Sequence, residues 1–172
     1  WTFAQDAPDL ARSGWPLLQA GQDGKNEQPG QDESRPGGGS VLLATTRSDG
    51  GTRLQPCRPV LDDGRLYLLL EDGTASVRNL RREQRYGIRA RSPLVRADDA
   101  DCSGTELRIE GTALPRTDPA LLTRIAAQSG QDPAQADALF ELLVEQVGLR
   151  RHLPGRSPQE TRWRCLGRRA CA

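Results

Sequence analysis

Along most of this chain, hydrophobic and polar residues alternate at the spacing of two that a half-buried strand requires. Val41–Thr46 is a β-prone run, SDGG at Ser48–Gly51 is a hairpin turn, and Thr52–Val60 carries Leu54, Pro56 and Val60 with Arg53, Gln55 and Arg58 between. This predicts two antiparallel strands. Pro56 and Pro59 cannot donate to a ladder, so the second strand is expected to be bulged or to run partly along an edge. After a turn at Leu61–Gly64, Arg65–Leu70 is apolar at nearly every position, the signature of a strand buried on both faces. Arg85–Arg91 and Glu106–Leu114 alternate again, with a bulge expected at Gly111. Glu160–Leu166, with Thr161, Trp163 and Cys165, reads as a last strand.

The spacing becomes helical in fewer places. Trp1–Ala20 predicts a short capping helix that starts near Asp6 and Pro8 and uses Trp1 and Trp15 for packing. Thr74–Glu83 predicts a second helix, with Val77 and Leu80 three apart and arginines at 78, 81 and 82. Its first turn, with arginine nearby, is a ready anion site. Asp118 as N-cap, Pro119 at the first position, Leu121, Leu122, Ile125 and Ala126 on one face and Gly130 as stop form the strongest helix signal in the chain. In Ala134–Gly148 the two periods compete, and periodicity alone favours a helix.

Composition changes this picture locally. Gly21–Ser40 contains no apolar side chain beyond proline, so it is expected to be a mobile insertion. The 172 residues then divide into a capping helix over 1–20, an insertion over 21–40, one domain over 41–166 and a tail over 167–172. A net charge of +1 argues against a nucleic-acid or membrane-surface protein held by a bulk field, so any anion site must be local. Lys25 is the only lysine, and the abundance of arginine reads as compositional.

Cys57, Cys102, Cys165 and Cys171 are too far apart for a CxxC pair, and His152 is the only histidine. No metal site is expected. No apolar run approaches the roughly 18 residues of a membrane span, which predicts a cytoplasmic protein with reduced thiols. From the lack of methionine, the natural N-terminus is expected to lie outside this sequence. About six short strands with one good helix predict a small β-barrel with helical covers, mainly β and α+β in class.

The segment ATTRSDGGTRLQPCRPVLDDGRLYLLL followed by TASVRNLRREQRYGI resembles the flavin-binding split barrels related to pyridoxamine 5′-phosphate oxidase, over roughly Val41 to Leu166. The resemblance implies a homodimeric FMN-dependent oxidoreductase, substrate unassigned, with the cofactor doing the redox chemistry and no side chain marked as acid or base. It implies that Arg53 and Arg58 reach the FMN phosphate and that the backbone of Leu54, Gln55 and Pro56 runs beside the isoalloxazine ring. Thr74 would offer its hydroxyl, and the partner subunit would supply a late Trp or Arg, matched here by Trp163 and Arg164. It also implies that Ala138–Val144 is a strand.

The chain departs from the family at two positions, where Ser76 stands for a usual lysine and Gln55 for a frequent histidine. Arg78, one turn on, is the candidate replacement cation. The arginine and histidine pair of the oxidase itself is not identified, since His152 beside Arg150 and Arg151 reads as a surface group. Two alternatives stay open: a flavin-free split-barrel dimer with a binding or structural role, and a reductase using the deazaflavin F420.

Overall fold

A computed structural model describes residues 6–20, 41–91, 104–131, 138–152 and 155–165. In chain order these form α1 (Pro8–Ala20), β1 (Val41–Thr46), β2 (Thr52–Pro56), β3 (Pro59–Asp62), β4 (Arg65–Leu70), α2 (Ala75–Glu83), β5 (Arg85–Arg91), β6 (Gly104–Arg116), α3 (Pro119–Ser129), β7 (Ala138–His152) and β8 (Gln159–Arg164). The strands make one antiparallel sheet in the order β2-β1-β5-β6-β7-β4-β3. β7 pairs with β6 from Leu139 to His152, with Glu145 left out at a bulge. Its other edge is shared, Ala138–Leu142 with β4 and Gln146–Arg151 with β8.

The predicted second strand, Thr52–Val60, is in fact two. β2 ends at Pro56 and pairs with β1, whereas β3 starts at Pro59 and pairs with β4 at the opposite end of the sheet. Only Cys57 and Arg58 link them. Three Cα steps span at most about 11 Å, so the two ends of the sheet come together at this corner and the sheet is curled. The prolines sit where a strand leaves one edge for the other, where a missing N–H costs no ladder bond. Cys57 N–H donates to Val41 C=O at 2.9 Å and holds the corner to β1.

The curl encloses an interior of Leu43, Ile88, Ile109, Val147, Leu66, Leu68 and Phe140, closed by Val77 and Leu80 of α2 and by Leu17 and Leu18 of α1. Trp15 packs against it, as expected, and Gly14 lets α1 approach so closely that a Cβ there would lie 2.8 Å from Leu107 Cδ1. A second apolar layer of Val60, Tyr67, Leu69 and Leu139 lies outside the sheet under Ile125 and Ala126 of α3. β4 therefore has apolar partners on both faces, as its unbroken run requires.

The same sandwiching explains why periodicity misleads at 138–148. Periodicity favours a helix there, but β7 is a strand over Ala138–His152, as the resemblance implied and longer. Its first six residues are all buried, between the interior and α3. Successive apolar residues then imitate a helical stripe.

The bulge falls between Glu110 and Gly111, where expected. A Cβ on Gly111 would sit 1.9 Å from Leu143 O, so only glycine fits. Asp118 caps α3 by accepting from Ala120 and Leu121 N–H, and Gly130 ends it at φ 68°. The result is the expected architecture, a split β-barrel with three helices among the described residues. The readings at Trp1, Gly21–Ser40, residues 92–103, Cys102, Cys171 and the 167–172 tail lie outside those residues.

Candidate functional site

β2 and the start of α2 converge at the open edge of the sheet. β2 stands last in the strand order, so one row of its backbone N–H and C=O groups faces away from β1. Cross-strand register puts Arg53 opposite Thr45 and Gln55 opposite Leu43, on the interior face. Leu54 and Pro56 point the other way, and Leu54 is 59% exposed. α2 docks on the same corner: Asn79 Nδ2 donates to Thr45 Oγ1 at 3.0 Å between two buried groups, and Arg82 Nη2 donates to Thr46 C=O at 2.6 Å.

The two departures from the family pattern touch each other. Ser76 Oγ–H donates to Gln55 Oε1 at 2.5 Å, and Ser76 is fully buried. A neutral hydrogen-bonded pair thus joins β2 to the first turn of α2. The other donors expected there are also committed within the chain. Thr74 caps α2, its Oγ1 accepting from Val77 N–H at 3.4 Å. Arg78 does reach back one turn, but its Nη1 donates to Gly73 C=O.

Arg58 lies elsewhere, its Nη1 donating at 2.9 Å to Ser129 C=O at the C-terminal end of α3, a place where a cation is favoured by the helix dipole. Arg53 is exposed and has no hydrogen-bond or ion-pair partner among the described residues. Trp163 and Arg164 are on β8, with β1, β5, β6 and β7 between them and β2. Trp163 stands opposite Val147 and packs against the interior, whereas Arg164 faces outward and donates to Gln146 Oε1 at 3.2 and 2.9 Å. One chain therefore brings together Arg53, Gln55, Thr74, Ser76 and Arg78, but neither Arg58 nor the β8 pair.

A phosphate dianion calls for several charge-assisted donors free of other acceptors. The first turn of α2 does not fit it: a neutral, part-buried pair stands where a cation is needed, and the cap hydroxyl and Arg78 already have partners. The open backbone edge of β2 does fit the alternating carbonyl and N–H groups along the rim of a flavin ring. Cys57, at the corner, is no nucleophile, because burial pushes its thiol up to about 12.

Sequence reasoning missed a charged cluster near α3. Glu141, 3% exposed, accepts from Arg65 Nη1 at 3.2 Å and from Arg116 Nε at 2.7 Å and Nη2. The signal was an acidic residue inside the apolar run LFELLV. Burial and the neighbouring Glu141 carboxylate both raise the Tyr67 phenol above its ordinary range. A cleft of about 650 Å³ between α2 and α3 borders this cluster, lined by Arg81, Arg116, Thr117, Leu122 and Phe140, and holds none of the expected site residues. Among the described residues no group of His, Cys, Asp and Glu could hold a metal, and no helix is long and apolar enough to cross a membrane.

No family model matches this chain, and no curated protein matches it. Solved structures do. The protein is similar to a NimC/NimA family protein from Clostridium acetobutylicum (TM-score 0.58, 10% identity, 90% of this chain and 92% of that one). It is similar to HutZ, the heme storage protein from Vibrio cholerae (TM-score 0.52, 13% identity, 87% and 93% covered). It is also similar to a heme binding protein from Mycobacterium smegmatis (TM-score 0.51, 22% identity, 71% and 52% covered). At these identities the likeness is one of architecture, and it establishes that the chain has the split-barrel fold.

Proposed function

We propose that this protein is a homodimeric, flavin-binding split-barrel oxidoreductase whose ring site is the open edge of β2. The observation that carries the reading is the convergence of that edge, with its row of backbone groups facing away from β1 and the exposed Arg53, on the start of α2. When bound, a flavin supplies the hydride or electron chemistry. The chain's own part is to orient the ring along β2 and to exclude water on the side covered by α2. FMN is the finer assignment that the resemblance implies, and F420 its longer alternative.

A second copy completes the site in this reading. The outward row Leu54, Ala44 and Gly87 crosses three strands with small or apolar side chains, a surface suited to packing against another sheet. Trp163 and Arg164 of the second copy would then approach β2, which they do not do within one chain. A second reading, a flavin-free binding dimer, is favoured by the part-buried Gln55–Ser76 pair.

The visible spectrum of the purified protein separates the readings. A yellow protein that releases flavin on denaturation supports the first. A colourless protein with no thermal shift in FMN, riboflavin or F420 overturns it and leaves the flavin-free dimer. The same spectrum would reveal heme, which the names of two similar proteins mention. A monomer by light scattering would remove the two-subunit site.

A further inference from the structure

We infer that the Gln55–Ser76 pair closes the first turn of α2 to phosphate, so that the β2 site takes a flavin with an uncharged side chain as readily as FMN. The inference rests on the flavin reading and adds which flavin is recognised. Ser76 has no exposed surface, and Gln55, half-buried on β2, covers it with a 2.5 Å hydrogen bond. Gln55 is thus held against the first turn of α2, where a phosphate would meet a neutral hydrogen-bonded pair rather than an ammonium.

The neighbouring cations do not compensate. Arg78 is bonded to the Gly73 carbonyl and Arg58 to the Ser129 carbonyl at the far helix. Arg53 remains, exposed at the rim, where one hydrated cation adds little to the binding of a dianion. A terminal hydroxyl of a ribityl chain, by contrast, matches the chemistry of this corner. It can donate to Gln55 Oε1 or accept from its amide with no charge left uncompensated.

The test compares FMN and riboflavin by isothermal titration on the wild-type protein, on Gln55→Ala and on the double variant Gln55→His/Ser76→Lys. Wild type should bind the two flavins within about threefold of each other. The double variant should gain about tenfold or more for FMN and leave riboflavin unchanged, the effect expected of a charge-assisted contact. Ser76 is buried and lysine there can compromise folding, so Gln55→Ala serves as the independent probe. Uncovering the helix start should raise FMN binding at least threefold over riboflavin.

If wild type prefers FMN tenfold or more, the inference is overturned and the flavin reading stands. If wild type binds neither flavin, the flavin reading fails. A gain of FMN binding in either folded variant would then still uphold the closed cradle, and no gain would overturn it as well.

Discussion

The two ends of the curled sheet differ in what their arginines hold. Around α3, each arginine named below has an acceptor: Arg65 and Arg116 on Glu141, Arg124 through Nε and Nη2 on Asp62 Oδ2 at 3.0 and 2.7 Å, and Arg58 on the helix C-terminus. At the β2 edge Arg82 and Arg78 meet only the backbone carbonyls of Thr46 and Gly73, the link from α2 to β2 is the neutral bond that Ser76 donates to Gln55, and Arg53 is exposed. The difference teaches that an arginine in this chain takes its role from what the fold sets beside it. Cations around α3 fasten the outer layer, whereas the β2 edge, proposed above as the ligand site, leaves a row of backbone groups facing away from β1.

The comparison can be broken by removing one group at a time. The largest effect should come from Glu141→Ala. Removing a buried carboxylate leaves two arginines uncompensated, and because both are about two-fifths exposed the cost should fall to about 2–3 kcal/mol, below that of a fully buried pair. Urea denaturation reads it, and a loss under 1 kcal/mol would show that the cluster is surface-like.

Next come the helix caps. Asp118→Ala should cost about 1 kcal/mol and Thr74→Ala about half as much, because Asp118 accepts at 2.9 Å and Thr74 only at 3.4 Å. Equal losses would mean that α2 is fastened as firmly as α3.

A third carboxylate sits between the two regions. Burial raises the pKa of Glu145, but the Thr112 hydroxyl at 2.6 Å and the Arg85 guanidinium at 2.8 Å outweigh it and hold the group below its ordinary 4.5. A depressed folded pKa contributes stability above the unfolded value and loses it as pH falls through the folded one. As pH drops below 4.5 and the folded carboxylate protonates, the thermal midpoint of Glu145→Gln should therefore fall less than that of wild type. Parallel acid limbs would assign the loss to other groups.

The smallest effect belongs to Arg53→Ala, expected to change folding stability by less than about 0.5 kcal/mol, since an exposed group without partners contributes little to folding. A clear loss of stability would place Arg53 with the structural arginines of α3.

What was legible from residue order was local. The β-prone run of Val41–Thr46, the alternation of Arg85–Arg91, the cap at Asp118, the stop at Gly130 and the bulge at Gly111 all depend on neighbours within a few positions. Two readings failed where a longer-range fact governs. Thr52–Val60 divides because its halves bind opposite ends of a curled sheet, and Ala138–His152 is a strand because both of its faces are covered.

The candidate site shows the same division. That Ser76 and Gln55 differ from the family pattern could be seen in the sequence, but they lie 21 positions apart, and only the docking of α2 against β2 turns two separate departures into one hydrogen bond. Arg58 was expected beside them and instead meets a carbonyl 71 positions away. Residue chemistry alone settled which donors this chain possesses. Topology decided which acceptors they meet, because side-chain pairing depends on distances of a few ångströms that only the closed barrel fixes.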